Sequence, residues 1–301
     1  MNTAIKLSGF ALGLAAVFGS AYGVGQLSDP VAPVADASHE GSADHGDGAD
    51  RAGHEPASAN HLPGGLLVSD RGYTLRPVDA PAGQFAFQIT GPDGRPVTAY
   101  DVEHDKRMHL IVARRDLSGF RHVHPELAAD GTWRVTSPLA GPGMWRAFAD
   151  FKPTGAEPLT LGVDVTVSGR VNPRPLPPPA TSTTVDGYTV TLHGTPEPGR
   201  TAELTLEISR NGVPVTDLQP YLGAYGHLVA LRQGDLAYLH VHPDGAPGDG
   251  RTAAGPQVTF YAEVPSAGTY RLYLDFRHGG AVHTAEFTLV AGDAAPGHGH
   301  D

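Results

Sequence analysis

Two stretches of this 301-residue chain decide its fold: HLIVARRDLSGFRHVHPEL at residues 109–127 and HLVALRQGDLAYLHVHPDG at residues 227–245. Each begins with a histidine and carries H-V-H-P after a fixed interval, so the three histidines keep the same spacing in both. In each, an alternating apolar segment is interrupted by Gly or Asp and then resumes, which is typical of an antiparallel β-hairpin. The chain therefore contains one histidine-bearing hairpin twice.

The similarity extends outward from the two hairpins. Residues 94–125 and 212–243 align without a gap at 11 identities in 32 positions, and GMWRAFADF at 143–151 matches GTYRLYLDF at 268–276. Each copy holds about seven short alternating segments separated by Gly, Pro and Asp, the pattern of an antiparallel sandwich. We predict an all-β chain of two tandem immunoglobulin-like or cupredoxin-like antiparallel β-sandwiches.

Composition divides the remainder of the chain. Residues 66–169 and 185–291 are the two sandwich repeats, and RVNPRPLPPPATSTT at 170–184 is a Pro-rich linker, because proline blocks helices and sheet ladders. Residues 26–65 have acidic, His-containing, low-complexity composition, which predicts a disordered linker. Residues 292–301 form a His-containing tail.

The N-terminus predicts export. Lys6 precedes an uncharged apolar run at residues 7–25 that ends in small residues, as in a secretory signal. The run is also long enough for an uncleaved single-span anchor, so residues 1–25 are a signal peptide or an N-terminal membrane anchor. Both alternatives place the repeats outside the cytoplasm, secreted or attached to the outer face of the cytoplasmic membrane.

Charge and composition exclude several function classes. With 21 basic and 32 acidic residues the formal net charge is -11, which argues against nucleic acid or anionic lipid as a partner. The chain has no cysteine, hence no disulfide, thiolate site or cysteine nucleophile, and only three methionines, which disfavours a thioether Cu(I) site. Motifs such as H-E-x-x-H and G-x-S-x-G are missing, so we expect no enzyme activity.

The hairpin register brings the histidines together. A two-residue turn at Gly234–Asp235 pairs His227 with His242 and puts His240 on the same face of the sheet. The same register in the first copy gathers the equivalent three histidines there. We therefore predict two separate trios, one per repeat: His109, His122 and His124, and His227, His240 and His242.

Three imidazoles on one patch suit a borderline divalent cation, Cu(II) or Zn(II). Asp150 and Asp275, in equivalent positions, are candidate fourth ligands or hydrogen-bond acceptors for a ligand. His278 and His283 occur only in the second copy and either enlarge its site or lie in a loop. A purely structural alternative is that the histidines fill polar sheet positions. For a metal site, affinity should fall steeply below about pH 6, because metal must displace the imidazole proton.

HLIVARRDLSGFRHVHPE followed by GPGMWRAFADFKP resembles the exported bacterial β-sandwich modules of the YtkA-like kind. That resemblance implies a non-catalytic exported module associated with heavy-metal or copper handling. It bears on His109, His122, His124 and their repeats. GFRHVH at 119–124 is also similar to a ligand strand of copper/zinc superoxide dismutases, but the cysteines and the zinc loop of those enzymes are missing.

Three functions follow from these observations. The first is an extracytoplasmic divalent-metal binder, with copper as the preferred ion, that acts in metal buffering, delivery or resistance. The second is an exported immunoglobulin-like interaction or adhesion module without metal. The third is a copper/zinc oxidoreductase. We expect the first.

Overall fold

A computed structural model describes residues 62–239 and 241–292, with His242 described only through its backbone. The predicted segment 1–25, nearly all of the linker at 26–65 and nearly all of the tail lie outside these residues. Every regular element in the described part is a strand, and no helix there has the length and apolar composition needed to cross a bilayer.

The first repeat contains nine strands in two antiparallel sheets. Their bounds are β1 Ser69–Asp70, β2 Tyr73–Val78, β3 Gln84–Thr90, β4 His109–Arg114, β5 Arg121–Val123, β6 Glu126–Leu127, β7 Thr132–Thr136, β8 Gly143–Phe151 and β9 Leu159–Val167. One sheet has the order β1-β2-β3-β7-β6 and the other β5-β4-β8-β9.

The second repeat has the same two-sheet plan. Its strands are β10 Ser182–Val185, β11 Tyr188–His193, β12 Thr201–Arg210, β13 Val213–Pro214, β14 His227–Arg232, β15 Tyr238–Leu239, β16 Val241–Pro243, β17 Gln257–Glu263, β18 Gly268–His278 and β19 Ala281–Ala291. The sheets run β10-β11-β12-β17-β16, with β13 beside β12, and β15-β14-β18-β19. The predicted all-β fold of two antiparallel sandwiches is confirmed.

Each sandwich has its own apolar core, which is formed by alternate residues of its strands. In β4, Leu110 and Val112 point into the first core; in β14, Leu228 and Ala230 point into the second. Burial of such side chains stabilises each repeat by about 25 cal/mol per Å² of apolar surface removed from water.

The opposite face of β4 and of β14 is buried as well, because the two histidine-bearing sheets pack against each other. This third apolar cluster takes residues from both repeats: Ile111, Ala113, Leu117, Phe120 and Phe148 from the first, and Val229, Leu231, Leu236, Tyr238 and Tyr273 from the second. All but Leu117 and Leu236 are at equivalent positions of the two repeats. A sheet covered on both faces explains why β4 and β14 are almost continuously apolar.

The contacts across this inter-repeat face are reciprocal. Phe120 stacks on Tyr273 with ring centroids 3.9 Å apart and planes 7° apart, and the equivalent pair, Tyr238 and Phe148, lies at 5.7 Å. In addition, the Tyr273 hydroxyl donates a 2.5 Å hydrogen bond to the Leu117 carbonyl. The repeats are therefore related by an approximate two-fold axis through the histidine-bearing sheets.

The predicted hairpin register is confirmed, but the predicted turn is wrong. In the first repeat Ile111 pairs with His122, and in the second Ala230 pairs with Leu239, as the alignment requires. The second turn spans four residues, 233–236, rather than Gly234–Asp235 alone, because the Arg232 amide donates to the Ala237 carbonyl. Asp235 stabilises the longer turn by accepting a hydrogen bond from the Ala237 amide.

After this hairpin the chain passes to the other sheet. The backbone of Val241–Pro243 pairs with β17, so that His242 lies opposite Tyr261. The predicted pairing of His242 with His227 is replaced by this crossing. His240, and the side chain of His242, lie outside the described residues, so the second predicted trio is described only through His227.

The described residues that pack on the first repeat include some that precede the predicted boundary at residue 66. The buried Arg146 guanidinium donates to the Gly65 carbonyl at 2.6 and 2.9 Å, and the Gly64 carbonyl accepts from the Tyr238 amide at 2.9 Å. A side chain at Gly162 would not fit, because its Cβ would lie 2.0 Å from the Gly65 oxygen. Strand β10 likewise begins inside the segment predicted as linker.

Candidate metal centre

The hairpin of the first repeat brings its three histidines together. His109 opens β4, His122 lies in β5 opposite Ile111, and His124 follows β5 where the chain leaves the sheet. Their ring centroids are 4.9, 5.1 and 5.3 Å apart, and one nitrogen from each lies within 4.8 Å of the others. The predicted proximity of this trio, His109, His122 and His124, is confirmed.

Hydrogen bonds fix the tautomers of two rings in the trio. Nε2 of His109 lies 3.0 Å from the Glu103 carbonyl, and Nδ1 of His122 lies 3.1 Å from the Asp275 carboxylate. Both partners only accept hydrogen bonds, so these two ring nitrogens carry the hydrogens. The remaining nitrogens, His109 Nδ1 and His122 Nε2, carry lone pairs in the neutral rings.

These two lone pairs face each other at 3.0 Å. Two neutral acceptors so close repel unless a cation, either a proton or a metal ion, lies between them. The third ring adds a further donor atom: His124 Nε2 is buried and has no hydrogen-bond partner within the described part of the chain. The trio thus brings three ring nitrogens that could bind a metal ion into one small region.

Burial disfavours a proton on His109 and on His124. Burial first, and then the neighbouring His122, lowers the pKa of His109 from 6.5 to about 4. Burial, followed by the His122 and His109 rings, lowers the pKa of His124 to about 3. Both rings are therefore neutral at pH 7. In the folded protein, proton competition at these two rings begins below the pH of about 6 expected from free imidazole.

The two predicted carboxylates lie beside the trio with different partners. Asp275 is 3% exposed; its Oδ2 contacts His122 and its Oδ1 accepts a 2.6 Å hydrogen bond from Thr284. Asp150 lies directly opposite His109 in the ladder and accepts hydrogen bonds from Thr160 at 3.1 Å and Tyr238 at 3.3 Å. Asp275 of the second repeat therefore hydrogen bonds to His122 of the first, which sequence alignment did not indicate.

His227, the one member of the second predicted trio whose side chain is described, lies beside the first trio. The His227 ring lies 5.6 Å from His109, with planes 16° apart, and 5.2 Å from His122. The approximate two-fold axis places these equivalent residues, His109 and His227, next to each other. Residues from both repeats consequently form one histidine-rich region.

Three groups in this region were not predicted from the sequence. The His104 ring lies 5.3 Å from His227 and 6.2 Å from His109, and the Tyr221 ring lies 6.5 Å from His124. The Glu103 carbonyl is the third. His104 aligns with Leu222, so the repeat comparison gave no signal for it. A cavity of about 230 Å³, lined in part by Glu103, His104, His109 and Asp150, reaches this side of the centre.

His278 and His283 belong to another cluster. His278 accepts a hydrogen bond from the Tyr188 hydroxyl at 2.7 Å and donates to Asp217 at 3.0 Å. His283 bonds Asp186 at 2.8 Å, and its ring lies 4.5 Å from that of Tyr188. The nitrogens that make these contacts already have partners of matching polarity. Both histidines lie in strands β18 and β19, not in a loop.

Comparison with known proteins shows the duplication independently. A family model described as a domain of unknown function (DUF8832) matches the chain twice, at residues 74–169 and 183–293. No curated protein matches the chain.

Several solved structures are similar over most of the chain, at low scores. Domains 4 and 5 of the S-layer protein SbsC match with 10% identity and a TM-score of 0.22, over 78% of this chain and 95% of that one. The FN1-FN3 domains of chicken CNTN1 match with 9% identity and a TM-score of 0.21, over 77% and 66%. The adhesin InvE of Yersinia pseudotuberculosis matches with 15% identity and a TM-score of 0.21, over 77% and 61%. Scores this low support no functional conclusion.

Proposed function

The chain belongs to the DUF8832 family of domains of unknown function, in two copies, and we propose that it is an extracytoplasmic protein that binds a divalent metal ion. The ion is held by His109, His122 and His124. The observation that carries this proposal is the pair of lone pairs, on His109 Nδ1 and His122 Nε2, that face each other at 3.0 Å.

An ion resolves the repulsion between these nitrogens. At a metal–nitrogen distance of about 2.0 Å, two nitrogens 3.0 Å apart subtend about 97° at the ion, within the range of four-coordinate sites. His124 Nε2 supplies a third donor from the same pocket. A proton shared by the first two nitrogens is the alternative cation, and the metal titration below distinguishes the two.

The donor set favours Cu(II) over Zn(II). Among first-row divalent ions, nitrogen sites bind Cu(II) most tightly, and the chain offers no thiolate that would select Zn(II) or Cu(I) by softness. Copper is therefore the first candidate ion and zinc the second. The apolar sequence of residues 7–25, which predicts a signal peptide or an anchor, supports a location outside the cytoplasm.

The role that fits this site is metal buffering, delivery or resistance rather than catalysis. The three donor nitrogens lie in a buried region, which suits retention of an ion. Histidines of the N-terminal segment and the C-terminal tail, such as His45 and His298, would capture ions weakly and pass them to the folded centre.

Removal of the trio should remove one tightly bound ion per chain. We expect the full chain to bind one more equivalent of Cu(II), and of Zn(II), than the His122→Ala/His124→Ala variant in calorimetric titration. The terminal histidines are present in both proteins and cancel in the comparison. His193→Ala, which changes an exposed histidine on β11, is the matched control and should bind like wild type. Equal stoichiometry and affinity in wild type and the double variant would refute the proposed function.

A further inference from the structure

We propose that the second repeat forms the other half of this metal site, so that ion binding fastens the two repeats together. In this arrangement Asp275 is a positioning residue that orients His122, and His227 covers the ligand rings. The inference rests on the proposed function, because it concerns the same ion. It goes further by assigning a role to a repeat that supplies none of the three ligands.

Asp275 is held in place to orient His122. The His122 and Asp275 side chains are only 1% and 5% exposed, and their contact joins β5 of the first repeat to β18 of the second. The Thr284 hydroxyl fixes the other carboxylate oxygen. A carboxylate that accepts the Nδ1 hydrogen leaves Nε2 as the donor atom and increases its basicity, as carboxylates do for metal-bound histidines.

His227 adds the second contact between the repeats at the centre. Its ring stacks on His109 at 5.6 Å and also lies 5.2 Å from His122, so it packs against two of the three proposed ligands. Its own strand, β14, pairs it with Asp275. Both second-repeat residues at the centre therefore come from one position of one sheet.

The ligand rings and the inter-repeat face are continuous. His109, Ile111 and Ala113 share one face of β4, so the same sheet surface that presents a ligand also packs against the second repeat. The Phe120 ring, two residues before His122, stacks on Tyr273, two residues before Asp275. Separation of the repeats would therefore remove the partner of His122 and expose the ligand rings to water.

This geometry links two equilibria, the binding of the ion and the docking of the two repeats. A ligand that binds only the docked arrangement stabilises that arrangement by the free energy of its binding. Conversely, docking raises the affinity for the ion by the same factor by which the ion stabilises docking. The bound ion would therefore stabilise the contact between the two repeats.

The test uses the full chain and titration with Zn(II), which is redox-inactive. Asp275→Asn should keep the trio-dependent equivalent but weaken its affinity by about 10- to 100-fold, the usual loss for a residue that orients a ligand. Glu286→Gln is the matched control, because Glu286 is a carboxylate on the neighbouring strand that bonds Arg271 and should leave affinity unchanged. Imidazole ¹⁵N chemical shifts should show His122 as the Nδ1–H tautomer in wild type and as a mixture of the two tautomers in Asp275→Asn.

Hydrogen exchange measures the fastening itself. Zn(II) should slow amide exchange in β14 and β18 of the second repeat in wild type, and have no such effect in His122→Ala/His124→Ala.

A second variant keeps the affinity test usable if Asp275→Asn does not fold. Thr284→Val removes only the hydroxyl that holds the Asp275 carboxylate and should weaken Zn(II) affinity about 3- to 10-fold.

The outcomes separate this inference from the proposed function. Suppose that wild type binds the trio-dependent ion, that Asp275→Asn binds it with unchanged affinity, and that the second repeat gains no protection. This result would refute the role of the second repeat but not the metal site. Wild type that binds no trio-dependent ion overturns both. Weakened affinity with lost protection supports both.

Discussion

Acidification from pH 7 to pH 5 is expected to destabilise the ion-free protein by about 2 kcal/mol for each of His109 and His124. The folded protein holds the pKa of His109 at about 4 and that of His124 at about 3, whereas unfolded histidine titrates near 6.5. Below pH 6.5 the unfolded chain therefore binds protons that the folded chain does not. Stability is fully present above pH 6.5 and is lost as the pH falls toward the folded values.

Urea unfolding of the metal-free chain at pH 7, 6 and 5 measures this loss. Replacement of His124 by Asn should flatten the pH dependence by roughly half, because Asn does not titrate in this range. His193→Asn changes an exposed histidine and should keep the wild-type slope. If the free energy of unfolding is the same at pH 5 and pH 7, the two rings are not held neutral by burial.

The sequence contains enough information for the trio of the first repeat but not for its surroundings. Hairpin register follows from chain-local rules, so the approach of His109 to His122 could be predicted from alternation and a turn position alone. Which surface covers that face is a long-range property. Ile111 and Val229 lie on the histidine face, and an apolar residue there indicates burial without naming the partner.

The contact between His122 and Asp275 illustrates the limit. The two residues are 153 positions apart, and the repeat alignment assigns each to its own copy. Alignment of duplicated units predicts equivalent local geometry, but an approximate two-fold axis exchanges partners between the units. The consequence is that a carboxylate predicted for one site serves the histidine of the other.

The predicted two-residue turn of the second hairpin is wrong because tertiary packing selects a longer turn. Gly234–Asp235 has the composition of a two-residue turn, but the longer turn places Leu236 in the left-handed region, at φ 61°, and buries its side chain at the inter-repeat face. Burial of a leucine contributes more than the strain of one such residue costs. Tertiary packing therefore overrode the turn signal.

Replacement of Tyr273 by Ala is expected to lower the free energy of unfolding of the two packed repeats by about 3–5 kcal/mol. The substitution leaves a cavity at a fully buried position, removes the stacked contact with Phe120 and leaves the Leu117 carbonyl without its hydroxyl donor. Tyr273→Phe, which removes only the hydroxyl, should cost about 1–2 kcal/mol. Tyr261→Ala, at a tyrosine that is 40% exposed, is the control and should cost under about 1 kcal/mol.

Tryptophan fluorescence makes this experiment a test of coupling between the repeats. Both tryptophans of the chain, Trp133 and Trp145, lie in the first repeat, whereas Tyr273 lies in the second. Because the inter-repeat face is buried and apolar, we expect the fluorescence transition of Tyr273→Ala to shift to lower urea together with the circular dichroism transition. A fluorescence midpoint that stays at the wild-type value, while circular dichroism shows a separate early transition, would mean that each sandwich unfolds alone and that the shared face does not bind the repeats into one unit.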